Sequence, residues 1–562
     1  MGKKGLELLK INAFGSIKDM LAQAVLVDGN KTAFKYRENG EIVEKTYRQF
    51  RDDTIYIGTQ LYEMGLADKH ISCTGDNSYN WITVYLCALQ SAGVFCPVDK
   101  DLPDSDFINV VDGGDSSIVF CDAKREEVFR RIRASIPKVK YFVCFDREED
   151  DGEFLSFKKF KANGKKLFEE GHRKFLTLAS DPEDLKMLIY TSGTTGLAKG
   201  VMLTEHNLCA SVYYGNSVSG IRDVGLSVLP YHHSYESVPG LLVAINNHAT
   251  LCINDSLKRV LKNLVLYKPQ YVYLVPAFVE VIYRRIWANI EDQGKTKKVK
   301  FAIGLSNFLR KIGIDVRKKL FKQIHDALGG NIEKLVCGGA PIREEIGKFF
   351  DDIGIILCNG YGITECSPLV SVNQDDFNDC RTVGFPLPCV DIKIADVTPD
   401  GDGEICVKGD IVMKGYYKNE EATKEAFDSE GYFKTGDYGR VNEKGQIVIT
   451  GRKKNIIVLE NGKNIYPEEI EGYIGSVPYV TDVIVYGVKD EDGNLNSLCA
   501  EATVNAEALK DLDTLEAKEA KLKSDIFKAC EALPVYKQVA HVKIRETPFV
   551  KTTSNKIKRV KD

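Results

Sequence analysis

The 562-residue chain has no CxxC pair and no histidine cluster at metal-ligand spacing, which argues against a zinc framework. No apolar run approaches the length that spans a bilayer. Its first residues, MGKKGLELLKINAFGS, lack an uninterrupted apolar core and a small-residue cleavage site, so no signal peptide is expected. Leu6 stands where an N-myristoylated chain needs Ser or Thr. Large net charge is missing too. The formal charge is -4 and the pI about 6.2, which excludes nucleic acid as the main partner but leaves small anionic ligands open. There is no internal repeat or low-complexity segment. Fifteen cysteines are present, an odd number, several inside apolar runs such as YLCAL and YFVCF. They read as buried thiols of a reducing compartment. The expected location is cytoplasmic, with peripheral membrane contact left open.

What is present is the composition of a globular protein, 44% hydrophobic and 28% charged, in a chain too long for one core. From about residue 70, short β-rich runs alternate with segments of helical periodicity. HISCTG, GVFCPVD, SSIVFCD, YFVCFD, LKMLIY, GLSVLP, YVYLVP, EKLVCGG and IILCNGYG are such runs. This alternation predicts an α/β fold with layered, largely parallel sheets and ligands at the strand ends. After about Val390 the texture changes to hairpins, DIKIADVTPDGDGEICVKG and RVNEKGQIVIT. Beyond GRKKN lie strands TDVIVYGV and LCAEATV, then a charged helix around Leu515 to Leu533 and a basic tail. The spacing places a domain boundary near Arg452 to Asn455.

Residues 294–325 carry ten Lys or Arg and one acid, Asp315. Phe301, Leu305, Phe308, Ile312, Val316, Leu320 and Ile324 recur at steps of three or four, an apolar helical stripe. A basic amphipathic stretch suits an anionic membrane surface. The simpler expectation is a solvated helix whose stripe packs on its own domain.

Four stretches carry chemistry. YTSGTTGLAKG, 190–200, follows an apolar run with three glycines, several hydroxyls and Lys199, the makings of a loop whose N–H groups wrap phosphate. It does not satisfy GxxxxGK[ST], which excludes a P-loop phosphotransferase. LPYHHSYE, 229–236, places two histidines behind a strand; adjacent side chains diverge, so a shared metal is not expected, and no G-x-S-x-G elbow exists. In CNGYGITECSP, 358–368, Tyr361 offers a stacking face, Thr364 a hydroxyl and Glu365 a hard oxygen ligand for Mg²⁺. In YFKTGDYGRVNEKGQIVITGRKKN, Asp437 can accept from two hydroxyls, as a ribose requires, and Arg452 is a permanent cation.

Taken in this order, YTSGTTGLAKGV, YGITE, YFKTGDYG and GRKKN resemble the adenylate-forming superfamily of acyl-CoA synthetases, luciferases and peptide-synthetase adenylation domains. NSYNWITVYLCALQSAGVFCPVDKDLP, the GGAP at 338–341 and the basic insertion before it are most similar to the long-chain fatty acid–CoA ligase branch. The resemblance implies a large N-terminal ATP- and acyl-binding domain, 1–452, with a hairpin-rich, β-barrel-like subdomain at about 380–452. It implies a small mobile α+β domain, 453–562. Activity would proceed through acyl-AMP, with a medium- or long-chain fatty acid, ATP, Mg²⁺ and CoA as reactants and cofactor; the alternative is an adenylating ligase for an aryl or short-chain acid, or for a carrier-protein thiol. The resemblance assigns Thr191, Ser192, Gly193, Thr194, Thr195, Gly196 and Lys199 to the phosphates. Tyr361 stacks on adenine beside Gly339, Ala340, Pro341 and Gly362. Thr364 bonds the α-phosphate, Glu365 holds the metal, and Asp437 and Arg452 take the ribose. His233 lies by the reacting carboxylate, and Lys556 bridges that carboxylate and the α-phosphate. Lys454 matches the hinge and Gly462 the CoA channel. Asn555 replaces the glycine that usually precedes the lysine.

Overall fold

A computed structural model describes residues 6–91, 93–191, 198–399, 401–459, 464–489, 495–531, 533–551, 557 and 559. Ser192, Gly193, Thr194, Thr195, Gly196, Gly462 and Lys556 lie outside the described residues.

Two large mixed sheets form the body. The nine-stranded sheet runs, edge to edge, through residues 385–386, 369–372, 356–362, 334–337, 271–274, 224–227, 250–253, 32–38 and 41–46. Its central pairs are parallel and its margins antiparallel. The eight-stranded sheet runs through 415–416, 199–204, 185–191, 94–97, 70–74, 116–121, 141–144 and 154–156, again with a parallel centre. Helices cover both faces of these parallel centres, so their strands read as nearly continuous apolar runs. Ile118, Val119, Phe120 and Cys121, consecutive in one strand, are all fully buried. Every β-rich run named above is a strand of one of these two sheets.

The hairpin region forms a four-stranded antiparallel sheet, 390–395, 403–409, 433–441 and 447–452. A small C-terminal α+β domain follows. Its strands 480–489, 495–504 and 541–544 back onto the helices Pro467–Ile474 and Leu515–Ala529 around Ile470, Ile474, Val485, Leu522 and Ile526. The second helix stops at Ala529, short of the expected Leu533. Pro534 disfavours helical backbone at Leu533, and the chain turns before it.

The basic segment corrects the simpler expectation. The helix Thr296–Lys311 ends before Gly313, whose φ is +81°, and short helical turns continue from Arg317. Val299, Ala302 and Ile303 pack against the neighbouring core, and Ser306 is buried. Over this helix the stripe points outward, with Phe301 73%, Phe308 63% and Ile312 61% exposed, whereas its last member, Ile324, packs on the core. The helix has an apolar face on each side, and its inner one comes from residues outside the predicted stripe.

Candidate active site

The phosphate-loop strand Leu185–Thr191 turns back into Lys199–Thr204, with Thr191 and Lys199 directly opposed. The loop therefore springs from one rung of a hairpin. Thr204 then caps the helix Glu205–Val218. Its hydroxyl accepts from the Asn207 N–H while Asn207 Oδ1 accepts from the Thr204 N–H. This reciprocal cap fixes how the strand hands over to the helix. Lys199 Nζ lies 5.1 Å from the centre of the Tyr416 ring, a cation–π contact.

Strand Ile356–Gly362 carries the next group, and it continues the parallel row whose neighbour, Lys334–Cys337, runs into Gly338 to Pro341. Gly339 sits at φ +86°, a left-handed turn that favours glycine. Gly362 meets its partner strand closely: a Cβ there would come within 2.1 Å of the Pro368 carbonyl oxygen. Tyr361 is buried, and its hydroxyl donates to Asp437 Oδ2 at 2.7 Å. Burial first and then the Asp437 charge push that phenol well above its ordinary pKa, so it stays a donor. Asp437 is opposite Arg452 in the four-stranded sheet, and Arg452 Nε reaches Asp437 Oδ1 at 2.8 Å. Tyr361, Asp437 and Arg452, separated by up to 91 positions in the chain, are thus one connected cluster.

Thr364 and Glu365 open a 3₁₀ turn just after this strand. Thr364 Oγ1 and Ser234 Oγ lie 3.4 Å apart, which joins the YGITE turn to the histidine motif. Glu365 Oε1 accepts from the Tyr416 hydroxyl at 3.0 Å. The same tyrosine therefore touches the metal candidate and the loop lysine. Nothing in the sequence around Tyr416 marks it for that role. No group of three or more His, Cys, Asp or Glu that could hold a metal occurs among the described residues. A single hard carboxylate still fits Mg²⁺, which takes one or two carboxylates and completes its shell with phosphate and water.

His233 lies against His232, ring centres 4.2 Å apart, and His232 Nε2 is 3.5 Å from Asp99 Oδ2. Burial first and then the neighbouring His233 hold His232 down to about 3, so it is neutral near pH 7. Asp99 ends the GVFCPVD run quoted above but was not singled out as a site residue. Lys454 has its pKa lowered by burial first and next by Arg452, and it sits where the four-stranded sheet gives way to the C-terminal domain.

One cavity of about 3680 Å³ unites these groups. Thr191, Lys199, His233, Gly339, Ala340, Pro341, Tyr361, Gly362, Thr364, Glu365, Asp437, Arg452 and Lys454 all border it. Ordinary ligand pockets measure roughly 300–1,000 Å³, so the space exceeds that of one small molecule. Residues of the C-terminal domain, including Glu471 and Asp482, form part of its wall.

Two layered mixed sheets and a small C-terminal domain around one cleft define the architecture of adenylate-forming enzymes. The structure matches the adenylation domain of a carboxylate reductase from Mycobacterium chelonae with a TM-score of 0.79 at 20% identity, covering 99% of this chain and 92% of that one. It matches an anthranilate CoA ligase solved with anthranoyl-AMP with a TM-score of 0.77 at 18% identity, covering 98% and 96%. At such identities the likeness is one of fold. The pattern of the AMP-binding enzyme family matches residues 21–417, and the chain belongs to that family. Among curated relatives, long chain acyl-CoA synthetase 7, peroxisomal, of Arabidopsis thaliana is 29% identical over 88% of this chain and 74% of its own. Long-chain-fatty-acid--CoA ligase 5 of Rattus norvegicus is 27% identical over 95% of this chain and 84% of its own. The chain is an adenylate-forming ligase.

Proposed function

We propose that the protein is an ATP-dependent acyl-CoA synthetase acting on a medium- or long-chain fatty acid. The observation that carries this reading is the Tyr361–Asp437–Arg452 cluster, which borders the same cavity as the Thr191/Lys199 hairpin and the Thr364–Glu365 turn. The names of the curated relatives support the fatty acid and CoA.

A carboxylate is a poor electrophile because its leaving group would be oxide. In the first half-reaction a carboxylate oxygen attacks the α-phosphorus of ATP, and the bond to pyrophosphate breaks. In the second the CoA thiol gives up its proton, its sulfur attacks the acyl carbon, and AMP leaves. Tyr361 stacks on adenine beside Gly339, Ala340, Pro341 and Gly362. Asp437 accepts from the ribose hydroxyls, its two carboxylate oxygens offering about four lone-pair sites between them. Arg452 binds the same ribose. Thr191 and Lys199, with Ser192, Gly193, Thr194, Thr195 and Gly196 between them, hold the outer phosphates. Thr364 donates to the α-phosphate. Glu365 would hold Mg²⁺, which would neutralise charge on the phosphates. His233 positions the acid.

Lys556 places a cation between the carboxylate and the α-phosphate, two anions that must meet; one such contact is worth roughly 10²–10³ in rate. We assign residues 1–452 to ATP and the acid and 453–562 to a mobile domain hinged at Lys454. That domain presents either Lys556 or the pantetheine channel around Gly462. All fifteen cysteines are free, which supports a reducing, cytoplasmic setting.

The test is a panel of acids from acetate to octadecanoate, with benzoate, incubated with ATP, Mg²⁺ and CoA and read by mass spectrometry. Thioester that peaks at long chains and is lost in Lys556→Ala is the expected result. Acyl-AMP without CoA thioester points to a carrier-protein thiol instead. A peak at benzoate or acetate points to another acid.

A further inference from the structure

The basic segment 294–325 has no part in the chemistry proposed above, yet it carries the most conspicuous exposed apolar line on the molecule. At about 100° per residue, Phe301, Leu305, Phe308 and Ile312 fall within an arc of about 60° along a helix roughly 24 Å long. Each is exposed, and Ile314, also exposed, prolongs the line. A single surface leucine is unremarkable, but four large apolar side chains in register are a patch that calls for a partner. The helix's own domain does not supply one, because the domain is served by the opposite face.

Charge identifies the partner. On the same helical wheel Lys298 flanks one side of the line, and Lys297, Lys311 and Lys300 flank the other at about 100° per residue. The basic residues facing the domain are neutralised: Arg310 and Arg317 pair with Asp351, and Lys318 pairs with Glu333. Among the described residues those four flanking lysines have no ion-pair partner, and neither has Lys319. Long lysine stems beside an apolar stripe, with their ammonium groups free, are the pattern of a helix lying in a bilayer interface. A second copy of this chain meeting the same face about a two-fold axis would set these cations against themselves.

We propose that the helix Thr296–Lys311 docks the protein on an anionic lipid bilayer. Phe301, Leu305, Phe308 and Ile312 enter the headgroup–acyl boundary, and Lys297, Lys298, Lys300 and Lys311 lie on the lipid phosphates. The preceding helix, Pro276–Asp292, borders the cavity through Phe278, Glu280 and Arg284. Docking therefore holds the cavity one helix away from the lipid. The inference does not depend on which acid is activated.

Co-sedimentation of the full chain with vesicles tests it, using phosphatidylcholine alone or mixed with phosphatidylserine. Binding is expected on the mixed vesicles at ~0.1 M salt and is expected to fall at ~1 M, where the screening length shrinks from about 10 to about 3 Å. The triple variant Lys297→Gln, Lys298→Gln, Lys300→Gln should weaken partitioning on the order of 100-fold. Phe301→Ser with Phe308→Ser should weaken it on the order of tenfold per side chain. Both variants should keep the parent's thermal unfolding midpoint, since these side chains touch little of the fold. Wild-type protein left in the supernatant with anionic vesicles overturns the proposal. So does a phenylalanine variant that binds as the parent does, or one that converts a dimer to a monomer in sedimentation velocity.

Discussion

Asp437 is held before any ligand arrives, by the Tyr361 hydroxyl on one oxygen and by Arg452 on the other. If Asp437 takes the ribose as proposed, preorganisation of this kind means that the ligand meets a carboxylate already aimed. Asp437→Asn keeps an acceptor for Tyr361 but leaves Arg452 without its anion. A hydrogen bond to a charged group contributes about 1.5–3 kcal/mol, so KM for ATP should rise about 10- to 100-fold with the fold intact. An unchanged KM would remove Asp437 from the nucleotide site. Glu236, three residues past His233, is a different case. It is fully buried, and its carboxyl is pushed up to about 8 from 4.5 by burial, against the pull of the Ser227 hydroxyl that donates to it at 2.5 Å. The folded pKa lies above the unfolded one. The stabilising contribution of the neutral acid is therefore complete below pH 4.5 and lost as pH rises through about 8. Denaturant midpoints should fall across that window, and Glu236→Gln should flatten the profile. An equally steep profile in the variant would assign the pH dependence to other groups.

At the scale of elements, the glycine-containing motifs mark places where backbones crowd. Gly362→Ala drives a methyl into the Pro368 carbonyl, backbone against backbone, with no flexible side chain to yield. A loss of several kcal/mol, of the size seen for overpacked positions, is expected as a lowered thermal midpoint. The YGITE turn should be displaced with it, so that ATP binding falls too; a midpoint within a degree of the parent would show that the strands can separate at no cost. This motif was legible in the sequence because its chemistry is local: strand, glycine, aromatic, hydroxyl, acid in eight residues. The strands of the parallel centres were legible for the same reason, being short apolar runs. The N-terminal hairpin Thr32–Glu38 with Glu41–Thr46 was not read. It completes the large sheet by pairing with Thr250–Ile253, more than two hundred residues away, and its outer strand has no buried face to impose a pattern. Tyr416 and Asp99 were missed because each reaches the site by tertiary contact alone. The outward stripe was seen, but periodicity tells that a helix has an apolar face, not which neighbour occupies it. Here two faces qualified, and the core took the weaker one.

Across the whole molecule, the role proposed for Lys556, six positions before the last residue of the sequence, requires the tail to stay fixed to the small domain. The flanks of that tail are anchored. Lys551 pairs with Ile557 through an antiparallel bridge, and Lys551 Nζ meets Asp482 Oδ1 at 2.7 Å. Arg559 grips Glu471 with two contacts at 2.5 and 2.6 Å and donates to the Val485 carbonyl at 3.1 Å. Asp482, Glu471, Ile557 and Arg559 all border the cavity. Lys551 on one side of residue 556 and Ile557 and Arg559 on the other are therefore tied to the small domain. Arg559→Lys preserves the charge but not the two-pronged grip, which lysine cannot reproduce. If Lys556 serves adenylation alone, single-turnover formation of acyl-AMP should slow roughly tenfold or more, about the worth of one charged hydrogen bond. Thioester formation from preformed acyl-AMP should then be unaffected, as the domain alternation proposed above requires. Equal slowing of both half-reactions would mean that Arg559 braces the domain as a whole rather than the lysine it carries.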